Sequence, residues 1–241
     1  MKIIKVFSPN YNREKRPSNS IKIIVFHYTG MQSERESIKR LCNPNFKVSS
    51  HYLINRRGKI FSLVQNRYVA WHAGKSCWGR HKNLNKNSIG IELVNKGHQF
   101  GYTSFKKKQI SSLVNLCKKL IKKYKIKKKN VIGHSDIAPL RKIDPGEKFP
   151  WKYLAKNKVG IWHDYEPNLL RKFRRTKVLI PQDKKKFVKN LNKIGYCLSA
   201  HNKPFFIKTI SAFQRHFRKE LINGILDKEC LMIAQNLTKK L

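Results

Sequence analysis

Apolar positions along this chain change texture part-way. Up to about residue 162 they come in short runs broken by turns, and beyond residue 182 they recur at helical spacing. Ile21–Phe26 is a short β-branched run behind a polar Pro17-Ser18-Asn19-Ser20 lead-in, and it predicts a buried strand. Val48–Ile54 and Lys59–Val64 predict two more, joined by a turn at Arg56-Arg57-Gly58. Ile89–Val94 predicts another strand, and Val131-Ile132-Gly133 a short one that runs into a loop rich in Pro and Asp. Between them, Ile110, Leu113, Val114, Cys117, Leu120, Ile121 and Tyr124 repeat at spacings of three and four, which predicts a helix over Ser104–Tyr124. Strands mixed with helices over about 160 residues imply an α/β domain with a mixed β-sheet flanked by helices.

Residues 164–181 are polar and basic, contain Pro167 and Pro181, and read as a linker or an extended wrap. After them, Asp183–Ile194, Phe206–Lys219 and Asp227–Leu237 are three helical patterns, separated at Asn202-Lys203-Pro204 and Ile222-Asn223-Gly224. The expected division is therefore 1–163, a linker at 164–181, and a small C-terminal three-helix domain at 182–241. A bundle of that size is near the lower limit for folding alone, so docking onto the first domain is expected.

Charge adds a second layer. The 54 Lys and Arg against 13 Asp and Glu give a net charge of +41, enough to draw anions of many kinds. Nucleic acid and an acidic polymer such as peptidoglycan both fit such a field. So does bias from an A/T-rich genome, because Lys outnumbers Arg 40 to 14. No helix-turn-helix, RNP or zinc-finger pattern accompanies the basic runs at 106–108, 127–129 and 184–186, and no specific nucleic-acid partner is expected. The five cysteines are scattered and odd in number, with no CxxC pair; reduced thiols are the simpler expectation. The start of the chain has no apolar stretch of signal-peptide length, and no run reaches the length of a membrane span, so the expectation is a cytoplasmic protein, as a monomer.

Candidate chemistry gathers at three places. His27 follows directly on the first predicted strand, as a functional group or as a hydrogen-bonded core histidine. His134, Asp136, Lys142 and Asp144 crowd one loop that three prolines stiffen. With His27, His134 and Asp144 offer two imidazoles and one carboxylate, the three-ligand set of a catalytic zinc site; a Pro-rich turn capped by its aspartates accounts for the loop equally well. Glu92, flanked by apolar residues in a predicted strand, is either a general base or half of a salt bridge. Lys142, two residues before Asp144, is either a cation that could be aimed at a developing oxyanion or simply one of the chain's 40 lysines.

Taken together, FHYTG around His27, SSHYLI around His51, AWHAG around His72, SIGIELVN around Glu92 and GHSDIAPLRKIDPGEKFPW from Gly133 resemble the zinc-dependent N-acetylmuramoyl-L-alanine amidase family, whose fold is shared by peptidoglycan recognition proteins. The likeness covers roughly residues 20–162. The run from Ile210 to Cys230 is similar to the small helical peptidoglycan-binding domain of the two-domain members. The resemblance implies Zn2+ bound by His27, His134 and Asp144, Glu92 as general base and Lys142 as oxyanion stabiliser, acting on peptidoglycan or muropeptides in cell-wall turnover or recycling. It implies a supporting role for Asp136 beside a ligand histidine, and leaves His51 and His72 between structural and substrate-contacting roles. It also implies a periplasmic or outer-membrane location as the alternative compartment. His81, His98, His163, His201 and His216 are read as ordinary surface or core histidines. The competing readings are a peptidoglycan-binding receptor with little turnover and a nucleic-acid binder driven by charge.

Overall fold

The computed structural model describes residues 2–176, 180–198 and 203–241; the expectations for His201 and Asn202 lie outside them. In chain order the strands are β1 (Ile3–Lys5), β2 (Tyr11–Asn12), β3 (Ile23–Tyr28), β4 (Tyr52–Ile54), β5 (Ile60–Ser62), β6 (Val69–Ala70), β7 (Cys77–Trp78), β8 (His81–Lys82), β9 (Ser88–Leu93) and β10 (Val131–Gly133). The α-helices are α1 (Glu34–Cys42), α2 (Lys107–Tyr124), α3 (His134–Ile137), α4 (Trp151–Lys156), α5 (Pro167–Phe173), α6 (Pro181–Ile194), α7 (Lys203–Phe217) and α8 (Lys228–Lys239).

Six strands form one sheet in the order β1-β5-β4-β9-β3-β10. Only the β4–β5 pair is antiparallel, closed by the turn at Asn55–Gly58, so the sheet is mixed as expected. Alternation along the two central strands decides what each face does. Ile24 and Phe26 of β3, with Ile89, Ile91 and Leu93 of β9, join Val131 and the apolar stripe of α2 in one core. Each such aliphatic side chain, buried, stabilises the fold by about 1.5–3 kcal/mol. The opposite face carries Ile23, Val25 and His27 on β3 and Ser88, Gly90 and Glu92 on β9. It is apolar at one end and polar at the other.

The apolar end of that second face lies against the C-terminal helices. Ile23, Val25 and Ile132 share a core with Phe187, Leu191 and Ile194 of α6, Ile210 and Phe213 of α7, and Ile233 and Leu237 of α8. The C-terminal helices thus complete the sheet's burial. The stretch expected as a linker contains α5, opened by Pro167 in its first turn, where the missing N–H is harmless. Leu170 enters the shared core and Arg174 pairs with Glu229 of α8 at 2.7 Å.

The expectation of reduced thiols is overturned at two positions: Cys77 and Cys197 form a disulfide. They stand 120 residues apart, on the β7–β8 hairpin and just after α6, and only tertiary packing brings their Cα atoms to 5.9 Å. Cys117 and Cys230 are buried and free.

Candidate active site

Strand register builds the first half of the site. His27 and Glu92 are paired neighbours on the parallel strands β3 and β9, so both side chains leave the sheet on the same face. The second half is the loop after β10. The strand ends at Gly133, the single turn of α3 presents His134, and the chain returns to place Asp144 beside it. The Ser135 amide donates to the Asp144 carbonyl at 2.9 Å, which ties the two together.

His27, His134 and Asp144 meet at the floor of a cavity of about 420 Å³, lined also by Tyr28, His72, Glu92 and Lys142. His27 Nδ1 is 3.0 Å from His134 Nδ1 and 3.1 Å from Asp144 Oδ2, and His134 Nδ1 is 3.1 Å from the same oxygen. The three candidate ligand atoms form a nearly equilateral triangle. Metal–nitrogen bonds of about 2.0–2.1 Å in a tetrahedral site require edges of about 3.3 Å, so the residues fit a small divalent cation.

Hydrogen bonds behind the rings fix which nitrogen faces the triangle. His27 Nε2 donates to His72 Nδ1 (3.1 Å), His72 Nε2 donates to Ser88 Oγ (3.1 Å), and Ser88 donates to the Leu84 carbonyl (2.6 Å). Every donor in that chain has an acceptor only when His27 Nδ1 carries the free lone pair. His134 Nε2 lies 3.3 Å from the Ala73 carbonyl and donates to it, which frees its own Nδ1 in the same way. Burial first, and the neighbouring His134 second, lower the His27 pKa to about 4, so the ring is neutral at pH 7. Burial works to raise the Asp144 carboxyl, but charge and hydrogen bonding from His134, then from His27, hold it well below the usual carboxylate range.

Glu92 is 9% exposed, and its Oε2 has no hydrogen-bond partner among the described residues. Burial, followed by the Asp144 charge, raises its pKa to about 8, with Lys142 opposing. An unpaired carboxyl held close to neutrality at the edge of a cleft is equipped to exchange a proton. Among the described residues no cation lies within salt-bridge distance of Glu92, which weighs against its salt-bridge reading. Lys142 faces the cavity, and its charge is felt by both Glu92 and His27.

His72 leans over Gly90, where an added Cβ would stand 2.4 Å from its ring. Backbone amides of His72 and Ala73 both donate to Asn85 Oδ1, which anchors this segment. His51 lies further back: its Nδ1 accepts from the Gly90 amide, and the buried Arg16 guanidinium abuts its Nε2. His72 is thus a neighbour of a candidate ligand, and His51 a framework residue. Asp136 hydrogen-bonds to neither candidate ligand histidine. Its carboxylate accepts from the Gly133 amide, Tyr196 and His216, while the role expected of it belongs to His72 and the Ala73 carbonyl. Arg141, which no sequence pattern singled out, donates to the carbonyls of Ala73 and Lys75 and braces the loop that carries Lys142. His98 links Tyr28 to Glu147 at the rim, at 3.0 Å from each.

The family model for N-acetylmuramoyl-L-alanine amidases matches residues 17–147. The chain belongs to this family. It is an N-acetylmuramoyl-L-alanine amidase, a peptidoglycan hydrolase of the AmpD/AmiD group. The amidase AmiD of Escherichia coli is 38% identical over 234 residues, spanning 91% of this chain and 83% of the relative. The solved complex of E. coli AmiD with anhydro-N-acetylmuramic acid-L-Ala-D-gamma-Glu-L-Lys superposes with a TM-score of 0.80 at 35% identity, covering 95% of this chain and 92% of the other. AmpDh3 from Pseudomonas aeruginosa, in complex with anhydromuramic pentapeptide, gives the same TM-score and identity over 92% of each chain. Both likenesses cover more than the first 181 residues could supply, so they extend into the C-terminal helices.

Proposed function

We propose that the chain cleaves the amide between the lactyl group of N-acetylmuramic acid, intact or in its 1,6-anhydro form, and the L-alanine of the stem peptide, with a zinc ion held by His27, His134 and Asp144. The observation that carries this reading is the triangle of two Nδ1 atoms and one carboxylate oxygen, with Glu92 in register beside it. Zinc bound there would acidify a water and polarise the scissile carbonyl. Glu92 takes a proton from the attacking water and passes it to the departing alanine nitrogen. Lys142 donates to the carbonyl oxygen as negative charge develops; losing such a donor costs about 100- to 1000-fold in rate. His72 holds the His27 ring and keeps its lone pair aimed at the cleft.

Support for the anhydro form comes from the two relatives solved with anhydromuramic ligands. The helices beyond residue 182 are proposed to hold glycan beside the cleft, and their shared core with the sheet supports a fixed placement. The Cys77–Cys197 disulfide supports an oxidising compartment, the periplasmic alternative, over the cytoplasm. Among the described residues no helix is long and apolar enough to cross a membrane.

Glu92→Ala tests the assignment. The variant is expected to bind zinc with the wild-type stoichiometry and to lose at least 1000-fold in turnover of an anhydro-muropeptide. Loss of zinc along with activity would make Glu92 a ligand and overturn its role as base.

A further inference from the structure

Asp136 lies two residues beyond His134, and its buried carboxylate is shared between the metal loop and the C-terminal helices. The Gly133 amide donates to Oδ2 at 2.8 Å from within the loop. The other two donors come from outside it. Tyr196, just after α6, donates its hydroxyl to Oδ1 at 2.7 Å, and His216 of α7 donates Nδ1–H to Oδ2 at 2.8 Å. Both side chains are buried, and neither lines the cleft.

Each donor is itself held from the catalytic side. The His216 ring stacks on Trp151 of α4 with centroids 3.6 Å apart. The Tyr196 ring packs edge-on against Trp78, whose indole nitrogen donates to Asn130 at 3.2 Å. Gly195 has no room for a Cβ, because Trp78 would stand 2.3 Å away, and its carbonyl accepts from the Gly79 amide at 2.6 Å. The Cys77–Cys197 disulfide closes the same junction one residue beyond Tyr196. From Asp136 the path to the ligands is short: α3 carries His134, and the Ser135 amide holds the Asp144 carbonyl.

Resting on the reading of His27, His134 and Asp144 as metal ligands, we infer that Tyr196 and His216 are positioning residues: by gripping Asp136, the C-terminal helices set the geometry of the His134–Asp144 loop and so the affinity of the metal site. Without these two donors a buried carboxylate keeps one hydrogen bond from its own loop, and the loop gains a reason to shift toward water. The C-terminal helices then serve the chemistry itself, whatever glycan they also hold.

The test is zinc affinity of the full-length protein, measured by competition with a chromophoric chelator, for His216→Ala and His216→Asn. An asparagine amide reaches roughly where the imidazole Nδ1 stands. The expected result is a Kd raised about tenfold or more in His216→Ala, within the range for groups that orient a metal site, and recovery to within about twofold in His216→Asn. Tyr196→Phe removes a single hydroxyl, is expected to weaken zinc in the same direction, and carries the test should His216→Ala fail to fold. Arg174→Ala, which breaks the ion pair with Glu229 and lies outside the contacts traced to Asp136, is expected to lower Tm and leave the zinc Kd unchanged. Wild-type zinc affinity in both His216→Ala and Tyr196→Phe, or an equal loss in Arg174→Ala, would overturn the inference and leave the contacts a purely structural role. A wild-type protein that binds no zinc would instead remove the metal reading on which the inference rests.

Discussion

A carboxyl group closed off from water holds its proton more tightly, and Glu92 shows what that means for the folded protein. Burial raises its pKa from 4.5 to about 8. A raised folded-state value means that the native state binds the proton better than the unfolded chain. The corresponding stability is therefore complete below about pH 4.5 and lost as pH rises through about 8. At about 1.4 kcal/mol for each tenfold in proton affinity, the loss approaches ~5 kcal/mol above pH 9. Glu92→Gln removes the titration. Denaturant unfolding of the metal-free proteins should show the variant gaining about 2–3 kcal/mol on the wild type between pH 6 and 9. Parallel pH profiles would show that the carboxyl is better solvated than its burial indicates. At this scale the sequence was informative where a residue's type was improbable for its surroundings. Glu92 in an apolar strand and the pairing of His134 with Asp144 in a Pro-rich loop stood out on those grounds. Asn85, Ser88 and Arg141 did not, since nothing about a serine or a surface arginine reveals which carbonyl it will meet.

Period-two alternation in β3 and β9 placed the chemistry on one face of the sheet, and the helical spacing of α2 marked the other face. Those elements were legible because they are long, or apolar on both sides. β1 and α1 were not: β1 is three residues at an edge, and α1 buries only Ser37 and Leu41. Gly90 is the point where element geometry meets the site, because β9 passes under the His72 ring. Gly90→Ala should push His72 off His27, destabilise the protein by about 1–3 kcal/mol and lower kcat about tenfold or more. A fully active Gly90→Ala enzyme, assayed beside its unfolding curve, would show that His72 has no part in orienting His27.

Across the whole molecule, the C-terminal helices, the sheet and the disulfide form one packed unit. The sequence separated the two regions by texture but held no sign of their shared core, because Ile23 and Val25 look the same whether they face α6 or solvent-covering loops. The Cys77–Cys197 pairing was likewise invisible across 120 residues. A crosslink over so long a loop stabilises by about 2–5 kcal/mol. Cys77→Ser should therefore lower Tm by several degrees, and reductant should reproduce the effect in the wild type alone. Equal melting of oxidised and reduced wild type would mean that the packed junction holds without the crosslink.

Hydrolysis of a purified anhydro-muropeptide, followed by mass with chelator present and then with zinc restored, bears on the fold, the ligand triangle and the reaction together. Release of the free stem peptide should stop with chelator and return with zinc. Continued release in the metal-stripped protein, or no release under any zinc concentration by folded protein, would contradict a zinc site at His27, His134 and Asp144 that drives amide hydrolysis.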